Sequence, residues 1–172
     1  MQNLASPVNQ KLLDEHYMRR ALELAKQASV LGEVPVGALI VLEREPVTGV
    51  FLAEPEIISE SHNNRETQTN PLGHAEVLAI GKAATKLGRW RLSGCSLYVT
   101  LEPCLMCAGA CVLSRVGRVI YGAFDPKAGA VRSLYKTLED VRLNHRPEVL
   151  GGVLEDECAA LLRNFFSEKR KK

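Results

Sequence analysis

Helical and strand-like patterns of apolar residues alternate along the chain. Apolar residues recur at helical spacing over residues 10–31, 74–87 and 155–169, which predicts three amphipathic helices. Another helix is predicted over 103–114, because Pro103 suits the first turn of a helix. Short apolar runs predict strands at 36–42, 95–101 and 118–122, a second strand that ends near 57–60 and a weaker strand at 149–153.

This alternation defines the expected fold class. It predicts an α/β protein, a three-layer α/β/α sandwich with a mixed, partly parallel sheet of five strands. With 172 residues and no internal repeat, the chain is expected to form a single domain over 1–172. Two features lie outside the regular elements: a surface insertion at about 43–55, and flexible ends at about 1–10 and 169–172.

Composition narrows the class of protein and its compartment. The chain is 46% hydrophobic with a net charge of +2, which is typical of a folded domain. Its apolar runs fall far short of the ~20 residues that span a bilayer, and residues 1–10 lack the features of a secretory signal. Five cysteines, an odd number, favour reduced thiols or metal ligands over disulfides, so we expect a cytoplasmic protein with no membrane contact.

Positive charge is concentrated in the second half of the chain. Residues 1–102 carry 10 basic and 12 acidic side chains, whereas residues 103–172 carry 12 basic and 8 acidic ones. The densest basic run, at 169–172, is suited to contact phosphate groups. A solvated tail is the more common reason for such a run.

Two short segments place metal-binding side chains at predicted helix starts. They read H-x-E from His74 to Glu76 and P-C-x-x-C from Pro103 to Cys107. The C-x-x-C spacing in the first turn of a helix points both sulfurs at one spot, and the helix dipole favours the thiolates that zinc requires. With His74 as a third ligand, Cys104 and Cys107 leave one tetrahedral position for water, which is the pattern of a catalytic zinc.

Glu76 is predicted to carry protons and not to bind the metal. Residues i and i+2 of a helix point about 200° apart, so Glu76 should not chelate alongside His74. A nearby carboxylate can instead take a proton from a zinc-activated water and pass it on. This combination suits hydrolytic attack on an amidine-like carbon.

Each half of the pattern also has an ordinary explanation. A lone C-x-x-C pair is common in redox sites and structural zinc half-sites, and a lone histidine at a helix start is often a cap. Their joint occurrence makes chance a weak explanation. Cys111 extends the spacing towards an iron–sulfur motif, but its place one turn beyond Cys107 indicates a core residue. Cys95 and Cys158 are also predicted to be packing residues.

The two segments resemble a known family. His74-Ala75-Glu76 and Pro103-Cys104-x-x-Cys107 are similar to the signature of the zinc-dependent nucleobase deaminases. Further segments, spread from about residue 14 to 170, resemble the bacterial tRNA adenosine deaminases: residues 33–38, 97–104, 106–110, 114–115, 125–130, 144–146 and 156–159. The resemblance implies a cytidine deaminase-like fold.

It also implies a function and a set of contact residues. The family resemblance implies a homodimer with one Zn²⁺ per subunit that converts adenosine to inosine at the wobble position of a tRNA anticodon. Asn63 matches the residue that contacts the base in that family, and Asp125, Lys127 and His145 fall in segments near the RNA. Each of these four residues has a simpler alternative role in a turn or on the surface.

Three features depart from the family pattern. The 43–55 stretch is longer than the hairpin usual there, Arg132 replaces a small residue, and Phe124 occupies a position that is often Arg. The two substitutions bear on RNA contacts and leave the expected zinc site unchanged. The family pattern gives no expectation for how the longer stretch packs.

Two other functions fit part of the pattern. A small-molecule deaminase acting on guanine, cytosine or a free nucleoside would use the same zinc and Glu76. The basic final helix, Asp125 and residues 144–146 argue against it. A catalytically silent, zinc-stabilised RNA-binding subunit is the other alternative, and Glu76 discriminates against it because a structural site has no use for a carboxylate there.

Overall fold

Four helices and five strands alternate in the computed structural model, which describes residues 7–171. The helices are α1 (Pro7–Val30), α2 (Ala75–Leu87), α3 (Leu105–Ser114) and α4 (Glu155–Lys169), and the strands are β1 (Gly37–Arg44), β2 (Phe51–His62), β3 (Cys95–Leu101), β4 (Arg118–Ala123) and β5 (Glu148–Gly151). α3 begins two residues later than predicted, because Cys104 keeps an extended backbone and serves as the N-cap, with Pro103 ahead of it.

The strands form one mixed sheet in the order β2-β1-β3-β4-β5. β1 runs antiparallel to β2 and β3, whereas β4 is parallel to both β3 and β5. α2 and α3 pack on one face of the sheet, in a core that includes Cys95 and Cys111, and α1 and α4 pack on the other face with Cys158. The predicted three-layer α/β/α sandwich with a mixed five-stranded sheet is confirmed.

One edge of the sheet gathers the ends of several strands. Gly37, at the start of β1, pairs with His62 at the end of β2, and its N–H donates to Thr100 Oγ1 near the end of β3 at 3.2 Å. Leu101 of β3 pairs with Ala123 at the end of β4. The loops that follow β2, β3 and β4 therefore leave the sheet at one place, where α/β proteins commonly build their sites.

The surface insertion predicted over 43–55 is a hairpin connection between β1 and β2, and strand structure enters both of its ends. β1 continues to Arg44 and β2 begins at Phe51, so a long hairpin occupies both ends of the segment. The turn of this hairpin is confined to residues 45–50, and residues 47–50 and 53–54 are exposed. The register pairs Leu42 with Glu56 and Arg44 with Phe51, so the extra residues of β2 between these pairs form a bulge.

A buried polar cluster holds the β1 side of this hairpin. The Glu43 carboxylate accepts hydrogen bonds from Ser96 (2.6 Å), Tyr98 and Arg118 (2.9 Å), and Arg118 also pairs with Asp14 at 3.0 Å. A charged residue after an apolar run usually marks the end of a strand. Here partners from β3 and β4 compensate its burial, and such distant partners leave no mark in local sequence.

The flexible ends predicted at 1–10 and 169–172 are described only in part. Residues 1–6 and 172 lie outside the described residues. Residues 7–10 belong to α1 and are helical, so the predicted boundary is too wide at that end.

Candidate active site

Two helix N-termini meet at the sheet edge. His74 is the N-cap of α2 and Cys104 is the N-cap of α3, and both have extended backbones (φ −81°, ψ 141° and φ −73°, ψ 176°). Neither side chain forms a capping hydrogen bond, although polar N-cap side chains commonly do so. Both side chains turn towards each other instead, and Cys107 from the first turn of α3 joins them.

These three side chains form a compact donor group. His74 Nδ1 lies 3.6 Å from Cys104 Sγ and 3.5 Å from Cys107 Sγ, and the two sulfurs are 3.7 Å apart. With Zn–S bonds of about 2.3 Å and Zn–N bonds of about 2.0 Å, the edges of a ligand tetrahedron measure about 3.5–3.8 Å. The donor group therefore fits a tetrahedral zinc ion and supplies three of its four ligands. No second group of this kind occurs within residues 7–171.

Local electrostatics favour a thiolate in the donor group. Hydrogen bonds from the Cys107 thiol and from His74 lower the pKa of Cys104 to about 3, against the opposing effect of burial. The contact with Cys104 raises the pKa of His74, although burial acts in the other direction. Because metals bind the thiolate form of cysteine, the lowered pKa of Cys104 favours metal binding.

Glu76 lies beside the donor group without belonging to it. It sits in the first turn of α2, is 4% exposed, and is absent from the cluster of potential ligand atoms. Burial raises the pKa of its carboxyl group, and the nearby His74 and Cys107 oppose this only partly. A buried carboxyl group with a raised pKa is suited to take up and release a proton, and that role stays a prediction.

Asn63 is tied to the start of α2. Its side chain is buried, and Oδ1 accepts a hydrogen bond from the Ala75 N–H at 2.9 Å. This bond satisfies one of the N–H groups left open at a helix N-terminus and fixes the amide next to His74. The structure thus gives Asn63 a capping role, and its contact with a base stays a prediction.

Two buried carboxylates, to which the sequence analysis assigned no role, hold the loops around the donor group. Glu33 accepts a hydrogen bond from the Thr67 N–H at 2.7 Å, and Glu102 accepts bonds from two parts of the loop that follows β4. Burial alone would raise the pKa of both, but the hydrogen bonds outweigh it and lower each pKa. The available signal was an acidic residue next to an apolar strand in segments 33–38 and 97–104.

The loop after β4 brings Asp125 and Lys127 to the edge of the site. Gly129 pairs with Cys104 in an isolated bridge, so the loop runs directly alongside a predicted ligand. Asp125 Oδ1 accepts hydrogen bonds from the N–H groups of Lys127 (2.9 Å) and Ala128 (3.2 Å), which forms an Asx turn. Lys127 is exposed, and RNA contact by either residue stays a prediction.

An open groove of about 1040 Å³ extends from this loop to α4. Its lining combines two partly exposed aromatic rings with four cationic side chains: Phe124, Phe166, Lys127, Arg163, Lys169 and Arg170. Phe124, which departs from the family pattern, packs edge-on against Tyr121 with ring centroids 5.3 Å apart. Arg132, the other departure, does not line this groove and pairs with Glu139 at 3.4 Å.

His145 does not join the other candidate residues within one chain. Its Nε2 bonds to the Val116 carbonyl oxygen at 2.6 Å, just before β4 begins. The donor group and Asp125 lie beyond the opposite end of β4, and a six-residue strand is about 20 Å long. His145 is therefore remote from the donor group, and its contact with RNA stays a prediction.

Comparison with known proteins gives consistent matches over most of the chain. The model of the MafB19-like deaminase family matches residues 13–170. The tRNA-specific adenosine deaminase of Bacillus subtilis (strain 168) is 51% identical over 159 residues, which is 92% of each chain. A solved structure from a study of A-to-I editing by tRNA:A34 deaminases at the wobble position has a TM-score of 0.75 and 40% identity, and covers 86% of this chain and 99% of its own.

A second solved structure belongs to a deaminase that acts on a different substrate. It is a guanine deaminase from Nitrosomonas europaea, with a TM-score of 0.67, 26% identity and coverage of 96% of this chain and 87% of its own. The fold, together with a His/Cys/Cys group able to bind a metal beside a buried glutamate, defines a deaminase. The chain belongs to the MafB19-like deaminase family.

Proposed function

We propose that the protein is a zinc-dependent tRNA adenosine deaminase that converts adenosine to inosine at the wobble position of an anticodon. The observation that carries this proposal is the donor group with the buried Glu76 beside it. The loop after β4, which pairs with Cys104 through Gly129, also lines an open groove of cations and aromatic rings. The 51% identity to the Bacillus subtilis tRNA-specific adenosine deaminase supports the same substrate. Conversion of adenosine to inosine in total tRNA, read by sequencing after incubation with the purified chain, tests it.

His74, Cys104 and Cys107 would hold the zinc ion, one per subunit. A zinc ion at this position supplies the Lewis acidity that activates water for attack on C6 of adenine. Glu76 would take one proton from the water and deliver it to N1 of the ring, and it would then carry the remaining proton of the new C6 hydroxyl to the departing amino group. In the net reaction a C6–O bond forms, the C6–N6 bond breaks, and ammonia leaves.

The base has to leave the anticodon stack to reach Glu76 and the donor group. We expect the Asn63 side-chain NH₂ to contact an acceptor on the edge of this base, a role supported by the bond that holds its Oδ1 to Ala75. Asp125 shapes the rim of the site through its turn. His145 is expected to contact RNA away from the base pocket, since it lies at the far end of β4.

The groove offers the RNA two kinds of contact. Phe124 is 40% and Phe166 is 44% exposed, and aromatic rings at a surface offer unpaired bases a partner for stacking. Lys127, Lys169 and Arg170 offer positive charge to the phosphates that connect those bases. This combination is typical of proteins that bind single-stranded or looped RNA.

Groove variants are expected to weaken RNA binding without altering the choice of base. Phe166→Ala should cost about 1–3 kcal/mol of stacking free energy. Lys169→Ala should reduce the slope of log Kd against log salt by about 0.7. Lys86→Ala, which removes an exposed lysine at the far end of α2, is the matched control and should leave affinity for an anticodon stem-loop unchanged. Equal effects of Lys86→Ala and Lys169→Ala would contradict a role for the groove.

The two alternative functions are less well supported. The structural match to a guanine deaminase is compatible with a small-molecule substrate, but a free base has no use for a groove of about 1040 Å³ lined by four cations. A silent RNA-binding subunit would leave the buried Glu76 without a function. Its burial beside the donor group favours an active enzyme.

We propose that two copies associate through α3. Two leucines on this helix, Leu105 and Leu113, are 52% and 73% exposed. A short 3-10 helix at Thr137–Glu139 packs against α3, and Leu134 and Tyr135 are exposed on the segment that leads to it. Exposed apolar patches of this kind are typical of interfaces, and homodimers use the same patch on both copies.

Leu113→Glu is expected to separate the dimer. Light scattering should give about twice 18.9 kDa for the parent and about 18.9 kDa for the variant at micromolar concentration. Val47→Glu is the matched control, because Val47 is 90% exposed in the hairpin turn, and this variant should stay dimeric. A parent mass near 18.9 kDa would contradict the proposed interface.

We propose a cytoplasmic location. All five cysteines are free of disulfide bonds, and unpaired thiols are typical of reducing compartments. None of the helices within residues 7–171 combines the length and apolar character needed to cross a bilayer.

A further inference from the structure

A single buried carboxylate holds both ends of the loop that follows β4. Glu102 is 2% exposed and lies directly after β3. Its Oε2 accepts hydrogen bonds from the Asp125 N–H (3.0 Å) and the Ser133 hydroxyl, and its Oε1 accepts the N–H groups of Val131 (3.0 Å), Arg132 (2.7 Å) and Ser133 (2.9 Å). The carboxylate therefore accepts the hydrogen bonds of these loop N–H groups in place of backbone carbonyl oxygens.

Only a carboxylate can accept all of these bonds. An amide in its place would aim NH₂ either at the Asp125 N–H and the Ser133 hydroxyl, or at the three N–H groups of 131–133. Close packing around the carboxylate adds a second constraint. A Cβ on Gly129 would lie nearer to Oε2 of Glu102 than two atoms can approach, so the loop is wrapped tightly around this side chain.

The loop held in this way forms one wall of the candidate site. Its Gly129 pairs with Cys104, and its first turn carries Asp125 and Lys127 at the mouth of the groove. We propose that Glu102 is a positioning residue for RNA binding, which fixes the loop over residues 125–133 so that its turn and Lys127 meet the substrate in one geometry. This inference rests on the proposed function, and Glu102 itself touches neither the base nor the reacting atoms.

Glu43 provides a matched comparison for this role. It is also a buried carboxylate with several hydrogen bonds, but its partners Ser96 and Arg118 lie near the opposite ends of β3 and β4 from the donor group. Glu43→Gln should lower thermal stability because it removes a buried, hydrogen-bonded carboxylate, and it should not affect RNA binding. A purely structural role for Glu102 predicts the same behaviour for Glu102→Gln.

The test compares the two variants in hydrogen exchange, zinc content and steady-state kinetics on an anticodon stem-loop. In Glu102→Gln, we expect protected amides within residues 124–134 to exchange at least about tenfold faster. The KM for the stem-loop should rise about tenfold, while kcat stays within about threefold and zinc stays at one per chain. Glu43→Gln should leave the exchange of this loop and the KM unchanged.

A second variant keeps the test valid where Glu102→Gln does not fold. Ser133→Ala removes one donor to Oε2 and leaves the backbone bonds, so KM should rise about threefold with kcat unchanged. Unchanged loop exchange and unchanged KM in folded, zinc-loaded variants would overturn the inference. An increase in KM shared by Glu43→Gln would overturn it as well. A parent that does not deaminate the stem-loop, with faster loop exchange still seen in Glu102→Gln, would instead overturn the proposed function.

Discussion

Glu76→Gln is expected to lose deamination by at least about a thousandfold while keeping its zinc and its fold. The substitution preserves the size of a side chain that is 4% exposed in the first turn of α2, and it removes only the ability to carry a proton. No other residue is proposed to move a proton from water to the base. The loss should therefore fall on kcat, with little change in affinity for the RNA.

Three measurements on the same preparation check this expectation. They are inosine formation in an anticodon stem-loop, zinc by elemental analysis, and Kd for the stem-loop. Glu43→Gln is the control, because it neutralises a buried carboxylate outside the site. Activity of Glu76→Gln within tenfold of the parent would refute its role as the proton carrier. Loss of zinc in this variant would make Glu76 part of the metal site instead.

Substitution of either predicted cysteine ligand is expected to empty the metal site. Cys104→Ser and Cys107→Ser each remove a thiolate from a group whose sulfurs lie 3.7 Å apart, so zinc should fall from about one per chain to a small fraction, and activity with it. Thermal stability should also fall, since a metal that binds the folded state stabilises it.

Cys111→Ser is the matched control for these variants. Cys111 lies one helical turn beyond Cys107, but it is buried in the core under α3 and does not belong to the donor group. The Cys111→Ser variant should therefore keep its zinc even if it loses some stability. Iron with acid-labile sulfide in the parent, or loss of zinc in Cys111→Ser, would contradict the assigned ligands.

Local patterns carried most of the information about the fold. Apolar periodicity predicts three of the four helices, Pro103 marks the start of the fourth, and short apolar runs predict the strands, although for β2 they give only its end. These patterns are readable because each element packs an apolar face on the sheet or lies within it. The donor group was predictable for a related reason. His74 and Cys104 both mark helix starts, and Cys107 follows at a spacing that a first turn brings to one side.

Features that depend on distant partners were not predictable. Glu43 looks like the end of a strand until Ser96 and Arg118 are brought beside it, so the extension of β1 to Arg44 is not predictable from local sequence. Glu102 is equally uninformative in isolation, because its partners lie 23 to 31 residues further along the chain. The separation of His145 from the donor group became visible only once β4 was placed between them.

The most direct test of the central claim is a comparison of substrates for one zinc-loaded preparation of the chain. An anticodon stem-loop with adenosine at the wobble position should be converted to inosine with a kcat/KM far above those for free adenosine, guanine and cytidine, and the advantage should shrink as salt rises because phosphate contacts weaken. Glu76→Gln measured alongside should be inactive on all four substrates. Turnover of a free base or nucleoside as efficient as that of the stem-loop, with little effect of salt, would contradict the proposed function and identify a small-molecule deaminase.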